Sequence, residues 1–550
     1  MTSYTGGDAV ADTLAEIGVR HVFVVASVHN LPMLDAIRRR TGIAVIMMRH
    51  EQAAVHAADA YHRVTGRLGV AVASTGPGAA NAVGGLFEAM SAGTSVLMIT
   101  GQNERRYAWR QMGSLHDAPR QTEMLSAVTR ATWLADLPGR LRDDLLRAAE
   151  RARTPVPGPV ALEIPIDVQY GPVPEPGPAG FIPAPPGTAN PDAVARVAAL
   201  LHSAQRPLVV AGGGVLRSGA ASELLRLCES AGAPVLTSVE GRGAIPEDHP
   251  LSLGATATSE PMRELIAGSD LVIAVGTHFR ETWTARWTLP IPARLVHVDA
   301  DPQVFGRVYA PEIAIAGDAR EVLAAVLTAF GGGTAVRRER WCAAAAEAAR
   351  RTREILLQRI GPDHRAVMEA LRAALPAGSP VVRDSTIPAY TWGDVLLPIL
   401  EPGTSLRPVS AAIGPSLPLA IGAAVGTGER TVVICGDGGF MLSAGELAVL
   451  AQEQLPITVC VFDDACYSVL KGIQEATFEG PAAYVDLAGP DFVALARSFG
   501  IPAGAATSAE EFEARLAESV DTPGPYLIEV DLTRLAPIRV PYVSGAPEQL

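Results

Sequence analysis

The sequence predicts an α/β protein built from three doubly wound parallel-sheet domains, and three observations predict it. Short apolar runs recur along the chain, Ala-rich segments of helical period separate them, and a Pro/Gly-dense stretch divides the series. Apolar runs without polar alternation are strands buried on both faces, the condition of parallel strands covered by crossover helices. At 550 residues, the chain exceeds what one core can organise and fits domains of roughly 150 to 200 residues.

Taken in order, the first block holds "HVFVV", "IAVIMM", "LGVAVAS" and "SVLMIT", and residues 1–175 are assigned to it. "YGPVPEPGPAGFIPAPPG" then breaks the pattern. Proline fixes φ and removes a backbone donor, so this stretch is neither helix nor central strand, and 176–190 is read as a linker. A second series, "RPLVVAG", "APVLTS", "SDLVIAVG" and "ARLVHVDA", assigns 191–335 to a central domain. After "AFGGGTAVRRERW" an Ala/Arg-rich linker helix at 336–365 leads into the third domain, 366–550, marked by "TVVICGDG" and "ITVCVFDD". Open parallel sheets bind ligands beyond the carboxyl ends of their strands, so the chemistry is expected just after each run.

Composition narrows the function. Hydrophobic residues make up 48% of the chain, yet no uninterrupted apolar run reaches the roughly 18 to 20 residues needed to span a bilayer. A net charge of -13 offers no basic field to a phosphate backbone, which argues against nucleic acid. The N-terminus runs straight into a helix-like pattern without a basic and then apolar leader, so the expectation is a cytoplasmic protein. Cys228, Cys342, Cys435, Cys460 and Cys466 show no metal-type spacing and suit a reducing compartment.

The third block holds the most specific pattern, "TVVICGDGGFMLSAGELAVLAQEQLPITVCVFDDACYSVL". Gly436, Asp437, Gly438 and Gly439 end one strand in a turn that a ligand can approach closely. Ser443 and Glu446 have the spacing of a capping box that would start the next helix. The following strand delivers Asp463 and Asp464 to the same sheet end as Asp437. Carboxylates joined by phosphate oxygens are what magnesium prefers. A Gly-Asp-Gly turn alone is common in α/β folds; the second acidic pair at this spacing makes it specific.

This segment resembles the diphosphate-binding motif of thiamine diphosphate enzymes of the acetolactate synthase and 2-oxo acid decarboxylase family, which includes the benzoylformate decarboxylases. The resemblance implies thiamine diphosphate and Mg2+ as cofactors, with Asp437 and Asp464 as metal ligands through their side chains and Cys466 through its backbone carbonyl. Asp464 stands where most members have Asn. Its extra charge beside the diphosphate implies a tighter dependence on the metal. Asp463 is not a ligand in the family pattern and is read as a turn-capping carboxylate.

In the first block, "IAVIMMRHEQAAVHAADAYHRVTG" places Glu51 where a strand passes into a helix. A carboxylate is favoured there by the helix dipole whatever its function. The following "STGPGAANAVGGLFEAM" sets Gly76 and Gly78 around Pro77 at another strand-to-helix turn. The stretch is similar to the pyrimidine-binding domain of the same family, with Gly76 and Pro77 in the cofactor wall. That similarity implies that Glu51 hydrogen-bonds the aminopyrimidine, so that the cofactor's own amino group can take the thiazolium proton. Ile413, in "SAAIGPSLPLAIGA", aligns with the bulky residue that props the cofactor into its bent shape, or else is a core isoleucine.

The middle block's "AGGGVLRSGA" lacks dinucleotide spacing and is read as a Gly-rich turn. The block resembles the family's central domain, in which some members bind FAD or ADP. No segment here matches the expected FAD-binding stretch, so FAD is not expected.

Family members attack a 2-oxo acid, release carbon dioxide, and pass the product carbanion to a proton or to an aldehyde or ketone acceptor. Val24, Val25, Ala26 and Ser27 replace a Gly-Pro-Gly-like segment of the family. The apolar Val28 stands where decarboxylases carry a polar group, which favours an acceptor other than a proton. His29 either faces the site or caps the following turn. His116, Asp117 and Gln121, in "GSLHDAPRQTEML", are candidates for proton transfer or substrate orientation; Lys471 and Gln474 are candidates for a substrate carboxylate. The leading reading is a carboligase or lyase similar to acetolactate synthase, with simple decarboxylation as its alternative. A family-fold protein without catalysis is the reading from another class. The resemblance further implies a homodimer or homotetramer, with the active site at the subunit interface.

Overall fold

The computed structural model describes residues 4–154, 156–175, 189–331 and 338–538. Most of the predicted linker, 176–188, and part of the second break, 332–337, lie outside the described residues.

Three parallel sheets account for the strands. The first comprises β1 (His21–Val24), β2 (Ala44–Met47), β3 (Gly69–Ala73), β4 (Val96–Gln102), β5 (Ala131–Leu134) and β6 (Val160–Pro165), in the order β2-β1-β3-β4-β6-β5. The second holds β7 (Pro207–Ala211), β8 (Val235–Thr237), β9 (Leu271–Val275), β10 (Leu295–Asp299) and β11 (Ile313–Ala316), ordered β11-β10-β9-β7-β8. The third holds β12 (Val381–Arg383), β13 (Ser405–Leu406), β14 (Thr431–Gly436), β15 (Ile457–Asp463), β16 (Ala503–Ala506) and β17 (Tyr526–Asp531), ordered β13-β12-β14-β15-β17-β16. In each order the chain starts one strand in from an edge and reverses direction across the sheet. Each reversal opens a crevice at the carboxyl ends of its strands.

Alternation along the strands explains why they read as continuous apolar runs. Val22 and Val24 of β1 join a core with Val70, Val72, Leu97, Ile99 and Leu162. Phe23 between them takes the opposite face and meets Tyr61 edge-on at 6.0 Å. Tyr61 belongs to the helix Glu51–Thr65, which also packs against the helix Ser416–Thr427. That crossing is close: a Cβ on Gly422 would stand 1.9 Å from the carbonyl oxygen of Ala57.

Buried charge ties the same region together. Arg63 pairs with Asp59 and with Glu88, and Glu88 accepts from the N–H groups of Val409 and Ser410 at 2.7 and 2.9 Å. Burial opposes the charge on Glu88, but Arg63 and those donors hold its carboxyl low, at about 2.

By contacts the chain divides into two compact units. One is Met1–Pro185 with Pro408–Gly428 and Ser443–Ile457; the other is Pro186–Arg407 with Glu429–Leu442 and Thr458–Leu550. The expected edges at 335 and 366 therefore do not separate compact units, because the second and third sheets fall in one. Two segments of the expected third domain join the first unit, drawn there by the Gly422 crossing and the Glu88 bonds. The linker helix starts at Glu339 and ends at a kink at Gly361, whose φ is 76°; a second helix continues from there to Ala374. Among the described residues no helix is long and apolar enough to cross a membrane.

Candidate functional site

β3 delivers the first group of residues. After Ala73 the chain turns through Ser74, Thr75 and Gly76 into the helix Pro77–Ala92. Gly76 has φ 59°, and a Cβ there would lie 2.6 Å from the carbonyl oxygen of His116, so glycine seats the 113–120 loop against the turn. At Gly78 a Cβ would come within 2.8 Å of Ser74 Cβ and 3.0 Å of Glu51 Oε1. The missing side chain therefore leaves open a point where both residues converge. Glu51 is the first residue of its helix, whose N-cap is His50, and Asn81 donates to Glu51 Oε2 at 3.0 Å.

The expected capping box is not formed. Ser443 precedes a short 3-10 turn, Ala444–Glu446, and its side chain makes no capping bond. Glu446 instead reaches the backbone N–H of Arg49 at 3.2 Å, just before Glu51. Burial pushes its carboxyl up to about 7, with the N–H groups of Arg49 and His50 opposing the shift. It serves as a cap, but for the strand-to-helix junction that presents Glu51.

His29 does not cap the turn after β1, which is closed by Ser27 N–H donating to Asn30 Oδ1 at 2.8 Å. Its ring is buried, with Nδ1 3.5 Å from Ser74 Oγ and its centroid 5.4 Å from that of His116. Burial, with the charge of His116 adding to it, lowers the His29 pKa. His116 brings its own Nδ1 to 3.1 Å from the same hydroxyl. Gln121 has its amide engaged inside the fold: Oε1 accepts from Thr75 Oγ1 and Gly76 N–H at 2.8 and 2.7 Å, while Nε2 donates to Glu163 at 2.9 Å. It shapes the glycine turn rather than facing substrate. Ser74 was not singled out in the sequence, and Ser27 only as part of the segment that departs from the family; a serine closing an apolar run carries no signal of its own.

β14 and β15 are neighbours and carry the second group. Asp437 opens the short helix after Gly436, is 4% exposed, and has Oδ2 buried without a hydrogen bond. Burial, together with the charges of Asp463 and Asp464, pushes its carboxyl up to about 7 against the Gly438 N–H. Asp464 follows β15; Ser468 Oγ donates to its Oδ2, and burial raises its pKa. Asp463 Oδ1 accepts from Ala465 N–H at 2.9 Å, the turn-capping role expected of it. The strand-end turn continues through Cys466, which bridges to Asp486. Gly438 is crowded by Tyr467, whose ring would lie 2.4 Å from a Cβ, and Gly439 by Asp384 at 3.2 Å.

These residues fit a magnesium ion shared with a diphosphate. Asp437 Oδ2, buried without a hydrogen bond beside two further carboxylates, has the chemistry of an oxygen ligand to such a cation. Among the described residues no three His, Cys, Asp or Glu side chains form a metal cage.

The remaining candidates divide. Ile413 is 39% exposed and is not a core isoleucine. Val28 is exposed as well. Gln474 is committed to the loop that follows its helix, bonding Ala483 N–H and C=O at 2.9 and 3.1 Å. Lys471 stays on the same helix, Ser468–Thr477, and its charge favours the ionised form of Asp464. In the central sheet the Gly212 turn is structural: a Cβ there would lie 2.2 Å from the carbonyl oxygen of Gly276.

Three family models match the chain. Residues 4–124 match the N-terminal TPP binding domain of thiamine pyrophosphate enzymes, 194–326 their central domain, and 389–530 their C-terminal TPP binding domain. A probable 2-ketoarginine decarboxylase of Pseudomonas aeruginosa is 34% identical over 96% of this chain and 94% of its own length. A probable acetolactate synthase large subunit of Methanocaldococcus jannaschii is 31% identical over 96% and 91%. A chloroplastic acetolactate synthase of Zea mays is 30% identical over 96% and 85%.

Proposed function

The chain belongs to the thiamine pyrophosphate enzymes, and on that premise we propose that it is a magnesium-dependent decarboxylase of 2-oxo acids. The observation that carries the proposal is Glu51, set at a helix N-terminus, held by Asn81, and opposed to the bare backbone of Gly78. Thiamine diphosphate, when bound, supplies the carbon nucleophile and the electron sink for loss of carbon dioxide. Glu51 would hydrogen-bond the pyrimidine ring. Gly76, Pro77 and Gly78 would leave room for the ring, with Ile413 against it. Gly436, Gly438 and Gly439 would admit the diphosphate, while Asp437, Asp464 and the carbonyl of Cys466 would hold the metal. His116, backed by His29, would relay from solvent the proton that replaces carbon dioxide.

Val28 supports a second reading, carboligation. An exposed apolar side chain offers no proton and shelters an aldehyde or ketone acceptor instead. The His29–His116 pair, brought together on Ser74 by the fold, tips the balance toward decarboxylation.

As a family member the protein is expected to act as a homodimer or homotetramer, with each site completed by two chains. Its five cysteines are all free, which supports a reducing cytoplasm.

Calorimetric titration with thiamine diphosphate and Mg2+ tests the premise; absence of binding removes the enzyme reading. Carbon dioxide and aldehyde release from pyruvate, 2-ketoarginine and other 2-oxo acids, with and without an added aldehyde, tests the reaction. If ligated product predominates whenever an acceptor is present, the carboligase reading replaces this one. A Glu51→Gln variant that turns over like the parent would remove the role given to that residue.

A further inference from the structure

The hydroxyl of Ser74 stands among three polar partners. Ser27 Oγ donates to it at 2.8 Å, Nδ1 of His116 lies 3.1 Å away, and Nδ1 of His29 lies 3.5 Å away. Ser74 is 3% exposed and His29 5%, so water does not readily substitute for any of these contacts. A serine hydroxyl has one proton to donate and two lone pairs with which to accept. Ser27 occupies one lone pair. One donor and one acceptor are left, and they face two ring nitrogens of the same kind. The two rings therefore cannot be in the same state: one Nδ1 accepts from Ser74 while the other donates to it.

We propose that Ser74 is a positioning residue of this site, which makes His29 and His116 share a single Nδ1 proton and thereby fixes His116 as the neutral tautomer with hydrogen on Nε2. The shorter contact assigns the Ser74 proton to His116. Asn103 also reaches the His29 ring: its side-chain bond favours the protonated ring, so its amide oxygen accepts, while its Nδ2 is buried without a partner. Exchanging the oxygen and nitrogen of that amide would pair Nδ2 with a ring nitrogen and leave the His29 proton on Nδ1. Protonating His116 at Nδ1 requires the Ser74 hydroxyl to turn toward His29, whose own Nδ1 proton must then be gone. Simultaneous protonation of both rings is thus opposed by hydrogen-bond count as well as by like charge.

The titratable groups on neighbouring elements are Asp117 on the loop itself, Glu51 across Gly78, His50 at the helix start, and Glu163 at the end of β6, reached through Gln121. None of them bonds the Ser74 hydroxyl. The catalytic consequence rests on the reading of His116 as a proton donor; the shared proton does not.

The test is 15N spectroscopy of the full chain labelled at histidine, with His29 and His116 assigned through His29→Gln and His116→Gln. Near neutral pH, His116 should show the Nε2–H tautomer and His29 the Nδ1–H tautomer. Ser74→Ala should scramble the two tautomers and uncouple their titrations, and Ser74→Thr, which keeps the hydroxyl, should restore them. With cofactor and a turned-over 2-oxo acid, Ser74→Ala should lower kcat about tenfold and shift its pH profile, with KM within about twofold. Should Ser74→Ala not fold, Ser27→Ala frees one lone pair and lifts the constraint, so the two rings should no longer be held in opposite tautomers. Identical tautomers in the parent, or tautomers unchanged in Ser74→Ala, would overturn the proposal. Failure of thiamine diphosphate to bind would instead remove the functional reading and leave the tautomer result standing.

Discussion

Replacing Asp437 with Asn should stabilise the protein without metal while abolishing its ability to hold one. In the folded chain the Asp437 carboxyl sits at about 7 instead of the usual 3.8, because it is buried beside Asp463 and Asp464. A raised carboxyl pKa favours the folded state fully below pH 3.8 and loses that contribution as pH rises through 7. Taken at 1.36 kcal/mol per tenfold change, that displacement corresponds to roughly 4 kcal/mol; the effective dielectric around a buried carboxyl, higher than that of a dry interior, leaves about 1–2 kcal/mol. Asn carries no charge to penalise, so the difference between variant and parent should grow from pH 4 to 7 and level off above it. For a domain of this size that is a rise of about 2–8 °C in Tm at pH 8. Scanning calorimetry in EDTA across this pH range measures it. Added Mg2+ and thiamine diphosphate should then raise the Tm of the parent only. An Asn variant less stable than the parent at pH 8 in EDTA, or one still stabilised by the metal and cofactor, would refute the assignment of Asp437 as a ligand kept under electrostatic strain.

Other substitutions probe the first unit. Glu446→Gln should keep the bond from Arg49 N–H and remove a charge penalised above pH 7, so its denaturation midpoint should match or exceed the parent's at pH 8. Glu446→Ala leaves buried N–H groups unpaired and should cost about 1–3 kcal/mol in urea unfolding. Gly422→Ala forces a Cβ to 1.9 Å from Ala57 O and should destabilise by about 1–3 kcal/mol or more, read in the same assay. Gly78→Ala fills the point between Ser74 and Glu51; calorimetry should show at least a tenfold loss of thiamine diphosphate affinity, with Tm much less affected than by Gly422→Ala.

Much of the fold was legible because both-face burial writes itself into sequence. Each apolar run picked out for β1 to β4 and β7 to β10 is a strand, as are those for β14 and β15. The strands not picked out are short, like β13 (Ser405–Leu406), or interrupted by polar residues, like β5 (ATWL) and β17 (YLIEVD). Their place is set by pairing with a neighbour rather than by their own pattern. The strand-end carboxylates were legible for a similar reason: Asp437 and Asp464 follow adjacent buried strands, and a strand end fixes where the next side chain stands.

What escaped the sequence was partnership between segments far apart in the chain. The S-x-x-E spacing of Ser443 and Glu446 has a local meaning, yet Glu446 bonds a residue nearly four hundred positions earlier. A local capping bond and a tertiary one compete for the same carboxylate, and spacing cannot say which wins. Burial of the acceptor can: the Glu446 carboxylate is 2% exposed, so it takes the Arg49 N–H that meets it inside the fold rather than a local cap at the surface. The same reasoning separates Gln121, whose amide is used up holding the Gly76 turn, from His116, whose ring is held at one nitrogen. A residue can act on substrate only with an atom the fold has not already claimed. That residual valence was visible at Asp437, His116 and Glu51 only after every other bond had been placed.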